Sequence, residues 1–254
     1  MDLELNGKVN LVTGGTDGLG AALATRLVDE GAFVAVCGRR QEPLDAMAEK
    51  LGERGIAVQA DVTVAADMER FVDEAFQRWG RIDGVVNNAA TGMAGPFEKR
   101  SDDEWLADLD LKVVAAVRLI RLSLPHLRSA PAGAIVNVLN SGATAPGTNS
   151  LPTSAPRAAG LALTKALSHE LGPEGIRVNA IMIGTMATSQ WERNAERRQV
   201  PVSEIFENMA KRVPLGRIGD PSEFGDLAAF LLSNRASYIT GAAINLDGGR
   251  NPVP

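Results

Sequence analysis

From end to end the chain alternates between short apolar runs of strand character and longer stretches with helical periodicity. The strand candidates are residues 8–13 (KVNLVT), 33–37 (FVAVC), 56–60 (IAVQA), 84–88 (GVVNN), 134–139 (AIVNVL), 177–183 (RVNAIMI) and 243–246 (AINL). Between them the pattern predicts helices over 19–30, 42–51, 65–79, 102–127, 153–171 and 221–232. Strands spaced by helices of this length indicate βαβ units and a parallel sheet. Runs that are apolar throughout, without alternation, fit a sheet covered on both faces. The expected architecture is therefore a doubly wound parallel α/β sheet. The 254 residues suffice for one such domain with a sizeable core, and no repeat or low-complexity linker divides them. Residues 184–220 form the one long irregular region, with short helical pieces, and are expected to act as a substrate lid.

The first strand runs into TGGTDGLG at 13–20, which opens the first helix. Gly14, Gly18 and Gly20 give the spacing G-x-x-x-G-x-G. One glycine permits the tight turn, one lets the backbone approach a pyrophosphate, and one allows close packing of helix on strand. Free N–H groups at the helix start then face the anion. Because the triplet sits between a strand and a helix, it reads as a Rossmann-like dinucleotide site, with Gly14, Thr16, Asp17, Gly18, Leu19 and Gly20 as expected contacts. An NAD(H) site wants a carboxylate at the end of the second strand, to hold the ribose hydroxyl. Here Gly38 is followed by Arg39 and Arg40, and a guanidinium matches a 2′-phosphate. NADP(H) is therefore the preferred cofactor, with NAD(H) as the alternative. Asp17, inside the turn, opposes a nearby phosphate by its charge.

Composition narrows the partners. A net charge of −5 argues against nucleic acid, whose phosphates need a basic surface. One cysteine, Cys37, excludes an intrachain disulfide and a cysteine-based metal cluster, and no metal-ligand spacing appears. The start MDLELNGK is acidic and polar, unlike a signal peptide, and no apolar run approaches the roughly 18 residues of a membrane span. A cytoplasmic protein acting on a small molecule, without a membrane partner, is expected.

Several further stretches resemble the short-chain dehydrogenase/reductase family over essentially the whole chain. TGGTDGLG is similar to its cofactor turn, and ADV at 60–62 to its acidic adenine contact, which implies roles for Asp61 and Val62. NNAA at 87–90 resembles the motif after the family's fourth strand, which implies Asn88 and Ala89 as cofactor contacts. GIRVNAI at 175–181 is similar to the sixth strand, and PLGR, YITG and DGG at 214–217, 238–241 and 247–249 to the C-terminal segment. Near the nicotinamide amide the family's usual proline is replaced by Ile183, whereas Gly184 and Thr188 keep the pattern.

The resemblance implies hydride transfer between a nicotinamide and a carbonyl or alcohol, served by Asn, Ser, Tyr and Lys. All four positions differ here. The Ser position falls on Asn140, the Tyr position on Thr153, the Lys position on Arg157 and the Asn position on Lys112. The chain's one tyrosine, Tyr238, lies in the C-terminal segment and is no stand-in. A threonine hydroxyl is a poor acid, and a guanidinium stays charged. Arg157 can still bind ribose hydroxyls or stabilise an oxyanion, and Asn140 can donate through its amide. Lys112 is the titratable member, so it is the expected proton donor or relay, its pKa lowered by burial and a nearby cation. The contrasting expectation for Lys112 is a helix-surface or interface lysine.

Other features read as structural. Thr153 or Ser154 is expected to cap the helix they open. His126 and His169 read as surface or interface residues. The basic and apolar mixture of Trp191, Arg193, Arg197, Arg198, Phe206 and Met209 reads as a solvated amphipathic lid, with contact to an acidic or acyl substrate as the alternative. The helix over 113–124 is apolar around much of its circumference, so it is expected to be buried on most sides. In the family the long helices pair copies, which implies a homo-oligomer, dimer or tetramer. Three functions follow as expectations: an atypical NADP(H)-dependent oxidoreductase, a catalytically silent nucleotide-binding or regulatory protein, and a non-redox enzyme using the same pocket for elimination, aldol-type or cyclisation chemistry.

Overall fold

A computed structural model describes residues 1–253. In chain order the main elements are β1 (Val9–Thr13), α1 (Gly18–Asp29), β2 (Phe33–Gly38), α2 (Gln41–Leu51), β3 (Gly55–Gln59), α3 (Ala65–Trp79) and β4 (Gly84–Asn87). There follow α4 (Asp102–Leu109), a π-helical turn (Asp110–Val114), α5 (Ala115–Ser129), β5 (Ala134–Asn140), α6 (Ser154–Leu171) and β6 (Arg177–Ile183). The chain continues through α7 (Ser189–Arg198), α8 (Val202–Ala210), α9 (Pro221–Leu232) and β7 (Ala243–Leu246).

The strands form one parallel sheet in the order β3-β2-β1-β4-β5-β6-β7. Order reverses at β1 and β4, so a crevice opens between their carboxyl ends. Alternate strand residues enter two cores. Val12, Val36, Val86 and Val138 pack with Leu23 of α1 and Phe224 of α9. Leu11, Cys37, Val85 and Ile135 pack with Phe71 of α3 and Leu119 of α5. This two-sided burial is the physical reason the strands carry unbroken apolar runs.

The expected helix over 102–127 differs in two ways. It is broken by the π-helical turn, whose end is marked by the Ala115 N–H bonding to Asp110 O, and it runs on to Ser129. No glycine or proline marks this turn, so the sequence pattern carries no signal for it. Residues 113–124 are buried or half-buried except Val114 and Arg121, as expected. Ala115, Ala116, Leu119 and Ile120 are buried, but Val114 is 45% exposed and Leu106, on the preceding helix, 64% exposed. Among the described residues, no helix is long and apolar enough to cross a membrane.

Residues 184–220 contain two well-formed helices, α7 and α8. Their two ends are held together: Met186 and Gly219 form a parallel bridge, Gly219 N donates to Thr185 O at 3.0 Å, and Ala187 N to Gly219 O at 2.8 Å.

Candidate active site

The glycine turn is fixed to the end of β4. Asn88 Nδ2 donates to Thr13 O at 2.9 Å and Gly14 O at 3.1 Å, and the Asn88 and Ala89 N–H groups donate to Thr13 Oγ1, each at 3.0 Å. Gly14 has φ +64°, a left-handed conformation that favours glycine. A Cβ on Gly20 would lie 2.2 Å from Gly14 O, so Gly20 is where α1 closes on the turn. Gly20 therefore serves packing and does not line the cleft, which departs from its expected place as a cofactor contact.

Above the turn lies a cleft of about 930 Å³ along the carboxyl ends of the strands. It is lined at one end by Gly14, Thr16, Asp17, Gly18, Leu19, Arg39, Arg40, Asp61 and Val62, and centrally by Asn88, Ala89, Ile183, Gly184 and Thr188. Arg39 and Arg40 stand at the mouth with Asp61, whose Oδ2 is 3.9 Å from an Arg39 guanidinium nitrogen. These residues fit a dinucleotide: the backbone cradle would be filled by a Cβ at Gly14 or Gly18, where atoms of Ala89 and Thr188 lie at 3.0 and 3.2 Å.

Asn140, Thr153 and Arg157 meet at the other end of the cleft. Helix α6 reaches β5 closely because Gly160 leaves room for Leu139, where a Cβ would come within 2.7 Å. A hydrogen-bonded chain from Asn87 to Asn137 to Thr164, at 2.8 and 2.9 Å, fixes α6 across the sheet. Asn140 Oδ1 accepts from Gly142 N at 3.1 Å, which orients its amide. Arg157 donates to Val138 O, and its Nε is buried with no partner among the described residues. Burial lowers its guanidinium to about 10, against the opposing pull of Asp108.

Lys112 is not a helix-surface lysine: its side chain is 1% exposed. It stands behind Thr153 and does not line the cleft, which corrects its expected place as a direct donor. Lys112 Nζ pairs with Asp108 and donates to Thr153 Oγ1 at 3.1 Å. Thr153 Oγ1 in turn donates to Asp108 Oδ2 at 3.3 Å and accepts from Met93 N at 3.3 Å. Burial pushes the Lys112 ammonium down, Asp108 resists, and Arg157 adds to the fall. Thr153 occupies the cap position of α6 in helical conformation, but its side chain makes no capping bond, because the hydroxyl is turned to Lys112 and Asp108.

Asp108 is the member of this buried cluster that the sequence reading missed. Its i, i+4 spacing from Lys112 is the signal that could have shown it, since such pairs share a helix face. Its carboxylate is fully buried, with two cations near it, so this end of the cleft carries a net positive charge. At the cofactor end, Asp17 caps α1 by accepting from Gly18 N at 2.7 Å. It is also bonded by Ser189 and, at 3.1 Å, by Arg193. Burial pushes the Asp17 carboxyl up, but the bonds from Ser189, Arg193 and Gly18 outweigh this and hold it below the usual range. Trp191 also lines the cleft, whereas Arg197 and Arg198 are exposed. Tyr238 is fully exposed, far from any such role.

The sequence model described as Enoyl-(Acyl carrier protein) reductase matches residues 14–251. Among curated relatives, oxidoreductase asL5 of Sarocladium schorii is 34% identical over 249 residues, covering 97% of this chain and 96% of its own. An NADPH-bound short chain oxidoreductase from Pseudomonas aeruginosa PAO1, containing an atypical catalytic center, is 33% identical with a TM-score of 0.92, covering 97% of this chain and 98% of that one. L-sorbose reductase from Gluconobacter frateurii, complexed with NADPH and L-sorbose, is 30% identical with a TM-score of 0.95 over the full length of both chains.

Proposed function

This chain belongs to the short-chain dehydrogenase/reductase family, and from that premise we propose that it is an NADP(H)-dependent oxidoreductase of a carbonyl or alcohol substrate with a replaced acid/base set. The observation that carries this reading is the chain of hydrogen bonds from buried Lys112 to Thr153 at the wall of the cleft. The glycine cradle supports dinucleotide binding, and Arg39 and Arg40 support the 2′-phosphate form, as do the NADPH-bound relatives.

A bound nicotinamide supplies or accepts the hydride. Asn140 and Thr153 orient the substrate oxygen. Lys112 and Arg157, with Asp108 between them in charge, favour negative charge on that oxygen as it develops. The proton moves from Thr153 Oγ1 to the substrate oxygen and is replaced on Thr153 from Lys112 Nζ; after the product leaves, water in the cleft returns the proton to Lys112 through the Thr153 hydroxyl. Thr153 must release Asp108 to do so. Asp108 keeps Lys112 protonated and within reach of the hydroxyl.

One observation favours a second reading, a catalytically silent nucleotide-binding protein. A threonine hydroxyl has one donor and two acceptor sites, and all three are occupied by Asp108, Lys112 and Met93. Titration of NADPH and NADH by fluorescence, followed by absorbance with a carbonyl panel, separates the two. Binding with substrate-dependent NADPH oxidation supports the enzyme; tight binding without oxidation supports the silent protein. Exposed Leu106 and Val114 support pairing of two copies through this face, which size-exclusion chromatography with light scattering checks.

A further inference from the structure

Asp17 puts a carboxylate in the turn where the free N–H groups of α1 invite a phosphate. Its two strongest side-chain partners come from residues 172 and 176 positions away, Ser189 and Arg193 on α7. Arg193 also donates to Ser189 Oγ at 2.8 Å, so the three groups form a closed set. The side chains of Asp17 and Arg193 are 39% and 55% exposed, and a pair that open adds little to folding stability. All three residues line the cofactor cleft. The segment that carries Ser189 and Arg193 begins and ends at the bridge between Met186 and Gly219, and it reaches the turn through those two side chains.

We propose that Arg193 is an affinity-determining residue for the cofactor, acting through Asp17: with α7 closed it neutralises the carboxylate, and with α7 open the carboxylate repels the cofactor's phosphates. This rests on the dinucleotide reading above. Closure and cofactor binding then favour each other by the same factor, as linkage requires. The chain thereby keeps an acidic residue in an anion site without losing the anion.

The test is the NADPH dissociation constant, by fluorescence, of the wild type, Arg193→Met, Asp17→Asn and the double variant. Arg193→Met is expected to weaken binding about tenfold, within the usual range of such couplings. Asp17→Asn, which still caps α1, is expected to bind at least as tightly as the wild type. In the Asp17→Asn background, Arg193→Met is expected to have no further effect. An equal loss in both backgrounds, or none in either, overturns the proposal. Chymotrypsin cleavage within 184–220, with no nucleotide present, is expected to be faster in Arg193→Met; an unchanged rate overturns the closure. A wild type that binds no NADPH removes the cofactor reading itself, and the charge compensation falls with it.

Discussion

Lys112 Nζ donates to Thr153 Oγ1 at 3.1 Å, joining two positions 41 residues apart at the wall of the cleft. Lys112→Met is expected to abolish turnover and leave NADPH affinity unchanged, as read by single-turnover absorbance and fluorescence titration. Undiminished turnover excludes Lys112 as the proton source. The variant also strands Asp108 as a buried charge, a loss of about 3–5 kcal/mol. Asp108→Asn combined with Lys112→Met is expected to unfold at a higher denaturant midpoint than Lys112→Met alone.

The pH dependence follows from the same lysine. Carbonyl reduction needs the ammonium form, so its rate is expected to fall as pH rises through the Lys112 value, which lies below the ordinary 10.5. Asp108 holds that value up, so Asp108→Asn is expected to move the falling limb to lower pH. For stability the sign is opposite to that of a favourable ion pair. Between the folded value and 10.5 the unfolded chain binds more protons, so this group makes stability rise with pH there. A limb in the same place in both proteins would detach the profile from Lys112.

Arg157 is held at about 10 by burial, below an ordinary 12.5. At neutral pH the buried charge therefore weighs against folding, and the bond to Val138 O offsets part of that cost. Urea unfolding of Arg157→Met is expected to show a higher midpoint than the wild type, with weakened NADPH binding. Because Arg157 depresses Lys112, any residual activity should show its falling limb at higher pH. A less stable variant would show that the guanidinium is not a burden on the fold.

Gly20→Ala places a methyl 2.2 Å from Gly14 O, a backbone atom that cannot swing aside. Loss of about 1–3 kcal/mol and of NADPH binding is expected from thermal unfolding and titration. Normal binding would mean the turn can widen.

Replacing Arg39 and Arg40 together by serine is expected to weaken NADPH more than tenfold, about 1.4 kcal/mol, and to leave NADH unchanged. Equal losses for both nucleotides would remove the 2′-phosphate role.

The sheet was legible because burial on both faces writes itself into unbroken apolar runs, and α3, β6, α9 and β7 fall on their predicted residues. Spacing along the chain singled out Lys112, Asn140, Thr153 and Arg157, and the last three line one end of the cleft. Their wiring was not legible. Asp108 reads as one more acid on a helix whose first turn already holds Asp102, Asp103 and Glu104, and only the packing of α6 shows that it is buried. Thr153 looked like a cap because hydroxyl residues usually are at helix starts; its capping bond was lost to two partners that are remote in sequence. Asp17 looked merely unfavourable, since its neutralising partner lies 176 positions on.

The bridge between Met186 and Gly219 has an evolutionary consequence. Because both feet of α7 and α8 are tied to one spot, lengthening or replacing what lies between them adds only a slowly growing loop-closure term. Exchange of the segment with that of a relative is therefore expected to leave the strands beneath in register, as circular dichroism and thermal unfolding of such a graft would check. A graft that retains Thr185, Met186, Ala187 and Gly219 is the natural place to begin altering selectivity in this scaffold.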